Sequence, residues 1–571
     1  MIGSLAAGSD FIDAGTVATG FEEPTDIAGN ARVAGESIDV GAYESQSTAP
    51  KASIVLTYAK AGEKVCLGVG GNKGYVFKVD WGDGVLKEYS TASYYTETLK
   101  GKVVKVYGDS VLIVKAKQQK LNAINIDNAK LLQQVHVGGN NIKTLNVKNN
   151  VNLTGIYAED NRLTSIDVTA NVALRVLDVH NNAIAGKVDC SAMPSLSKVD
   201  VSDNKVTDLL LPKHKTLYEI KCGNNLIKQL DVAGLNGLDR LSCAENQLTQ
   251  LDLTGMDALN ELYAYDNALT SINPEMCLNL KTLSLSGNKL SKIKLGANTT
   301  LQGVYLYDNQ LKELDLTANT GVQYLNISNN QIAELNTSTL ANLSRLLADN
   351  NKLTAVNLDN NTRLSQVKLA HNQLSQVDVS KAPYLSWLKV DHNNLTSLDL
   401  KSNKYLYWLE CNSNKIASLD LKSNTVIQRI AAEHNQLTSL DLSVNPGVQG
   451  LSIQHNPMSD ATIDAIIAQL QDVSGVKIDD NNRDWGRELK YSCSATGKVK
   501  RADAEAKGWK VTEFVASAIN HVVASEVPVS TTYYNLSGQQ LQGEIEASGF
   551  YIVKQLWSNG KVTATKVYIN K

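Results

Sequence analysis

Leu301-Gln302-Gly303-Val304-Tyr305-Leu306-Tyr307-Asp308-Asn309-Gln310-Leu311-Lys312-Glu313-Leu314-Asp315-Leu316 is one copy of a pattern that recurs between Leu132 and Met458. Its asparagine belongs to a series of sixteen, from Asn140 to Asn456, at steps of 21 residues with a single step of 22. The lettering is L-x-x-L-x-L-x-x-N-x-L-x-x-L-x-L, with Val304 in place of one leucine. Alternation in its first half predicts a short strand, with Val304 and Leu306 inward and Tyr305 and Tyr307 outward. One such turn cannot bury its own apolar side chains, whereas stacked turns share a continuous core and pair their strands in register. The chain is therefore expected to be a solenoid.

A self-similar period of this length and lettering resembles the leucine-rich repeat. The asparagine sits where the chain leaves the strand, and a stacked amide there can satisfy backbone N–H and C=O groups that the bend exposes. Twenty-one residues leave little room for a helix on the return, so extended chain and turns are expected in the second half. Asparagines there (Asn150, Asn171, Asn298, Asn319, Asn361, Asn403, Asn424 and Asn445) predict a weaker second ladder. The expected fold class is mainly β: a leucine-rich-repeat solenoid of about seventeen 21-residue turns over 111–458, flanked by β-sandwich modules.

At 571 residues the chain is too long for one compact domain. A hydrophobic fraction of 43% supports real cores, and a net charge of -3 argues against nucleic acid or an anionic membrane surface as partner. No apolar run approaches the length needed to span a bilayer, so membrane insertion is not expected. Cys222, Cys243 and Cys411 fall on core positions of the repeat and read as free thiols acting as small hydrophobes. Adjacent in-register strands are poor disulfide geometry.

Outside the repeats the chain changes character. Residues 1–46 carry Ser9-Asp10-Phe11-Ile12-Asp13-Ala14-Gly15 and Ile38-Asp39-Val40-Gly41-Ala42-Tyr43-Glu44, which resemble the closing segment of bacterial right-handed β-helix surface proteins. They read as a remnant of a longer chain, and Met1 to Ala7 lacks the pattern of a secretory signal. Residues 47–110 predict strands at 53–58, 64–69, 75–79 and 103–107. Their turn Trp81-Gly82-Asp83-Gly84 resembles that of PKD-like β-sandwiches, with turn formation preferred to a calcium site at Asp80 and Asp83. This module is expected to cover the open end of the solenoid. Ala185-Gly186-Lys187 and Asn273-Pro274-Glu275-Met276-Cys277 interrupt the period and belong on the back or edge. A cap over 459–515 begins with a helix, Asp460 to Leu470, N-capped by Ser459 or Asp460. Another helical turn is expected at Asp503–Trp509. Asp480, Asn482, Asp484 and Glu488 read as a loop of solvated charges rather than a calcium loop. Residues 516–571, with Tyr533 to Leu541, Gly549 to Val553 and Gly560 to Ile569, resemble the C-terminal sorting domain of type IX secretion in Bacteroidetes.

Taken over 47–571, the chain resembles internalin-like leucine-rich-repeat surface proteins of that phylum. The resemblance implies export, an extracellular or outer-surface location, and an adhesive or binding role. No H-E-x-x-H, G-x-S-x-G, P-loop or paired C-x-x-C occurs, so no enzyme is expected. His371, His392, His434 and His455 each precede a ladder asparagine, with Ser413 interrupting the row. Neighbouring turns bring such residues within roughly 5 Å, which raises zinc binding or a pH-sensitive patch. A metal site needs three or four converging ligands rather than a flat row, and Asp160, Asp203, Asp266 and Asp308 fill the same position earlier. The row is accordingly read as a polar repeat position, and no metal or cofactor is expected.

The outward strand positions carry grouped aromatics. Tyr263 with Tyr265, Tyr305 with Tyr307, and Tyr324 form one cluster around the small residues Ser284, Ser286 and Gly287. Trp387, Trp408 and Tyr407, beside Lys389 and Glu410, form a second. Grouped exposed aromatics mark binding surfaces, so these eight are the expected ligand-binding residues. The expected function is recognition of a host or bacterial surface protein or glycan on the concave sheet, by a monomer. The competing reading is a structural spacer displaying an N-terminal β-helix domain, whose outward face would be featureless.

Overall fold

The computed structural model describes residues 51–90, 94–475, 487–494, 499–515, 530–534, 549–556 and 562–569. The chain forms two compact units, one of residues 1–492 with 498–514, the other of 493–497 with 515–571.

In the larger unit seventeen short parallel strands follow one another in register, from Ile113–Lys115 to Gly450–Ser452. The cap strand Glu488–Cys493 adds to the last of them, also parallel. Three residues per strand suffice because the pairing partner is the identical segment of the next turn: Leu283 faces Val304, which faces Leu325. Val304 and Leu306 are fully buried while Tyr305 and Tyr307 are half-exposed, as the alternation requires. The return segments are turns and irregular chain, with a 3-10 helix at Pro274–Met276. The proline that interrupts the period starts that helix, where its missing N–H costs nothing.

The asparagine ladder holds one turn to the next. Asn309 donates from Nδ2 to Leu285 O of the preceding turn (2.9 Å) and to Leu306 O of its own (3.1 Å). Its Oδ1 accepts from the Leu290 N–H at 3.0 Å. The same pattern recurs from Asn140 to Asn435. In the second ladder, Asn319 Nδ2 donates to Leu295 O and Asn298 O (2.9 and 2.8 Å), yet its buried Oδ1 accepts from nothing. Apart from Asn361, whose Oδ1 accepts from the Thr337 hydroxyl at 2.8 Å, that ladder is satisfied on its donor side alone, and so is the weaker one. The residue before each ladder asparagine is left-handed, with φ near +50 to +56° at Asp160, Asn181, Asp308, His371, His392, Ser413, His434 and His455. Asn, Asp and His tolerate that region best among residues other than glycine. The mixed polar lettering of the position has this steric cause.

At the N-terminal end the solenoid's sheet is extended rather than simply covered. Lys64–Gly70 pairs antiparallel with Ile113–Lys115 on one side and with Tyr94–Thr98 on the other. A second sheet orders Leu86–Ser90, Val76–Asp80, Val103–Tyr107, Ile54–Tyr58 and Leu121–Asn125. Its last strand is part of the first turn, so both layers of the module run into the repeat. Leu86–Ser90 and Tyr94–Thr98 are strands that alternation does not announce, because their apolar residues are sparse. Asp80 Oδ1 accepts from the N–H groups of Gly82, Asp83 and Gly84 (2.8, 3.1 and 3.0 Å), the turn-capping role expected of it. The extra residue near Gly186 is absorbed as a bulge where Ala185–Asp189 pairs with Lys205–Leu210 in a separate two-stranded sheet.

The C-terminal end closes with α1 (Asp460–Gln469), whose Ser459 Oγ accepts from Thr462 N at 3.2 Å. Ile463, Ile466 and Ile467 are buried. A second helix, α2 (Arg501–Ala506), precedes Lys507, whose Nζ donates to Ile467 O, Ala468 O and Leu470 O and so satisfies carbonyls at the end of α1. Glu488 is in the cap strand, ion-paired to Lys490 at 2.8 Å. Asp480, Asn482 and Asp484, like residues 1–46, lie outside the described residues. Cys66, Cys190, Cys222, Cys243, Cys277 and Cys411 are free thiols, and burial pushes Cys190 and Cys243 up to about 12.

In the smaller unit, Ser530–Tyr534, Gly549–Leu556 and Val562–Ile569 form an antiparallel sheet with Gly549–Leu556 in the middle.

Asn309→Ala strands the buried Leu290 N–H and two carbonyls, and should lower stability by about 2–4 kcal/mol in urea unfolding. Asn319→Ala removes an already unsatisfied oxygen along with two donor bonds, so its cost should be the smaller of the two. Equal costs would refute the difference between the ladders. Removing residues 289–351, three whole repeats, should leave a shorter folded solenoid by circular dichroism, since coupling runs between neighbouring turns. Loss of all structure would contradict nearest-neighbour stabilisation.

Candidate functional site

The parallel strands present a face whose residues form columns 21 apart in sequence. Towards the N-terminus these columns are ion-paired. Lys198 meets Glu219 at 3.0 Å, and Arg240 meets Glu261 at 2.8 Å. His180 Nδ1 lies 2.7 Å from Asp178 Oδ1, and the His136 and Tyr157 rings stack at 4.2 Å. Charges that neutralise one another along a column leave no single-sign field.

The central columns change to tyrosine and serine. Register places Tyr263 beside Ser284 and Ser284 beside Tyr305. The strands themselves end at Tyr263 and Tyr305, so Tyr265 and Tyr307 lie just beyond, where the chain exits. Ser284 and Ser286 are 7% and 1% exposed although they occupy outward positions, and the Ser286 hydroxyl has no partner. The Tyr263 hydroxyl donates to Glu261 Oε2 at 3.1 Å. Tyr305 lies back over its own strand: a Cβ on Gly303 would come within 3.1 Å of the ring. The neighbouring cleft, about 180 Å³, opens on the far side of Tyr305 and is bounded by Tyr324, Asn326, Arg345, Leu347 and Gln366. Arg345 stands 5.5 Å from the Tyr324 ring centre. Tyr305 and Tyr324 are the expected residues that share this cleft; Tyr263 and Tyr265 do not line it. Leu347 was detectable in the sequence, since Leu346-Leu347 cannot both face inward. A larger hollow of about 680 Å³ lies on the return side of the turns, by Leu230, Asp231, Leu251 and Asn273, away from the aromatic columns.

Further on, Trp387 and Trp408 stack with ring centres 4.5 Å apart and planes within 3°. Lys368 Nζ sits 3.9 Å from the centre of Trp387, and the Arg429 guanidinium 4.8 Å from that of Trp408. The order Lys368, Trp387, Trp408, Arg429 follows four successive strands. A cation over each indole is favourable, and the arrangement occupies the broad ring faces, so the edges are what face a partner. Trp387 Nε1 donates to Glu410 Oε1 at 3.1 Å, which holds the first indole in place. Tyr407 precedes its strand and is 41% exposed, beside the stack rather than within it. A second exposed pair, Tyr384 and Tyr405, stacks at 6.2 Å one step before the strands. Its signal was the spacing of 21 at equivalent repeat positions.

Burial around the stack shifts its charges. Glu410 is pushed up by desolvation, only partly offset by Lys389 and the Trp387 N–H. Asp349 and Glu433 move up for the same reason, and burial lowers Lys368. At the exit edge, His371 stacks on His392 at 4.1 Å and His434 on His455 at 4.2 Å, with Ser413 between the pairs.

A carboxyl raised in the folded state takes up its proton there before the unfolded chain does. Stability should therefore rise as pH falls from neutral towards the ordinary glutamate range near 4.3. Glu410→Gln keeps an oxygen for Trp387 Nε1 and removes the buried charge. It should be more stable than wild type at pH 7 and show a shallower rise on acidification, measured by urea unfolding from pH 4.5 to 7.5. A variant less stable at pH 7 would show that Lys389 outweighs desolvation.

Comparison with known proteins agrees with this architecture. The Leucine Rich Repeat family matches residues 279–297. No curated protein sequence matches the chain. Among solved structures, it is similar to a leucine-rich-repeat protein of Leptospira interrogans (23% identity, 62% of this chain, 93% of the other, TM-score 0.50). It is also similar to the plant peptide hormone receptor RGFR1 in complex with RGF2 (17%, 65% and 68%, TM-score 0.52). The functional domain of InlJ from Listeria monocytogenes is 18% identical over 80% of this chain and 90% of that one, with a TM-score of 0.49. Among the described residues, no helix is long and apolar enough to cross a membrane. The chain folds as a leucine-rich-repeat solenoid.

Proposed function

We propose that this protein is a recognition module that binds a partner on the outward face of its parallel sheet, and that it acts by binding rather than catalysis. The observation that carries this reading is the Lys368–Trp387–Trp408–Arg429 stack. Two indoles held rigidly on an open sheet lose little further freedom on binding, which is how aromatic anchors contribute most. Around them Tyr407 and the cleft at Tyr305 and Tyr324 extend the same face. Tyr263, Tyr265 and Tyr307 complete it on the N-terminal side.

With the indole faces covered by each other and by cations, stacking against a sugar ring is closed off there. Ring edges, a leucine and an arginine in the cleft suit a protein partner's side chains better, with a glycan as the secondary ligand class. The fold it shares with a receptor bound to a peptide hormone is consistent with a peptide or protein ligand. A spacer, the competing function, has no use for a rigid aromatic stack. Secretion or surface display, an internalin-like adhesive role in a Bacteroidetes organism, a PKD-like module at 47–110 and a sorting domain at 516–571 are proposed on the sequence resemblance.

The test uses peptides selected from a random displayed library on the immobilised full chain, and a glycan array in parallel. Trp387→Ala with Trp408→Ala, and separately Tyr263→Ala with Tyr305→Ala, should each weaken a majority of the selected peptides at least tenfold. Folding of both variants is verified by circular dichroism. Peptides that bind both folded variants as tightly as wild type would place recognition elsewhere.

A further inference from the structure

The row of histidines by itself offers only pairs of stacked imidazoles, and two ligands do not make a metal site. At one pair the fold adds a third. Asp391 immediately precedes His392 on the same exit segment. Its Oδ2 lies 2.9 Å from His392 Nδ1 and 3.9 Å from His371 Nε2. One donor atom from each residue falls within 4.8 Å of the others. We propose that His371, Asp391 and His392 bind a late first-row divalent cation of the zinc type.

Donor chemistry and spacing both fit. Zinc bonds of about 2.0–2.1 Å to imidazole and carboxylate, in tetrahedral array, separate the donors by roughly 3.4 Å. The two measured separations, 2.9 and 3.9 Å, bracket that value. Each imidazole binds a metal in its own ring plane, so coordination of one ion turns the half-exposed His371 and His392 out of their stack and towards each other. The backbone supplies pre-organisation: His371 and His392 share the left-handed conformation (φ 52° each), and the His371 N–H donates to Asp391 O at 2.9 Å. Three protein ligands leave a fourth position for water or a donor from outside, the arrangement of an open site.

The second observation is independent of the cluster's geometry. Asp391 is only 5% exposed, and its Oδ1 is buried with no hydrogen-bond partner. A buried carboxylate with an unused oxygen carries a desolvation cost that a bound cation offsets.

The molecule also contains its own control. His434 and His455 stack at the same distance as the first pair, 4.2 against 4.1 Å. Where the first pair has Asp391, the second has Gln454, an amide and a far poorer ligand. Among the described residues another carboxylate–imidazole group, Asp178, His180 and Asp200, lies within similar limits. There Asp200 Oδ1 is already taken by the Ser202 hydroxyl and N–H (2.6 and 3.2 Å), and Lys221 stands 3.8 Å from Oδ2.

The test is calorimetric titration of the full chain with Zn²⁺, with Co²⁺ absorption reporting coordination geometry. Wild type should take up one equivalent with a Kd below about 10 µM, with a cobalt spectrum of low coordination number. Asp391→Asn, nearly isosteric, should weaken uptake at least tenfold, as should His371→Ala with His392→Ala. His434→Ala with His455→Ala should leave it unchanged. Circular dichroism verifies that every variant is folded. Absence of uptake by the wild type overturns the proposal. So does an equivalent that survives Asp391→Asn, or one lost only with the second histidine pair or with Asp178→Asn. None of these readouts involves the partner of the sheet face, so the metal site and the recognition proposal can fail separately.

Discussion

Each ladder asparagine ties the exit of one strand to the turn before it, and the solenoid depends on that bond set. The amide nitrogen of Asn309 reaches the carbonyls of Leu285 and Leu306, and its oxygen takes the Leu290 N–H. Three polar groups at a buried bend are thus satisfied by one side chain, turn after turn. Alanine would satisfy none of them. The bend also forces the preceding residue into the left-handed region, which restricts that column largely to Gly, Asn, Asp, His and their like. The histidine row is a consequence of this backbone requirement before it is anything chemical.

Locked register turns a linear period into columns. Residues 21 apart come within one strand spacing, so chemistry on this surface is decided by which letters follow one another down a column. Trp387, Trp408 and Arg429 follow one another down one column, and Lys368 completes the cation–ring–ring–cation stack from the adjacent column of the preceding strand. Neither indole would be held without its neighbours, since an isolated outward tryptophan has no wall to lean on. The same rule buries Ser284 between Tyr263 and Tyr305 and brings His371 against His392.

The two ends of the solenoid meet the problem of an exposed sheet edge and apolar core differently. At the start, antiparallel strands extend the sheet: Lys64–Gly70 satisfies the free edge of Ile113–Lys115. At the end, α1 lays three isoleucines over the last turn, and Lys507 satisfies the carbonyls at that helix's own end. Both closures also pair the free sheet edge, with antiparallel strands at the start and at the end with Glu488–Cys493, which adds parallel to Gly450–Ser452.

Much of this was legible in the residues alone. The period, the inward leucines, both ladders, the absence of a return helix and the Ser459-capped helix follow from local spacing and from groups that must be buried or satisfied. The strands Leu86–Ser90 and Tyr94–Thr98 were not, because sparse apolar residues leave no alternation to read. The outward aromatics were identifiable as a set, yet their arrangement was not. A period states which residues are neighbours and leaves side-chain torsions open. Only packing decided that Tyr305 lies over Gly303, that the cleft opens towards Tyr324 and Arg345, and that cations cover both tryptophans. Asp391 belongs to the same class. Its position in the repeat was plain, but its convergence on two histidines from adjacent turns is a property of three dimensions, set by how the exit bend turns each side chain.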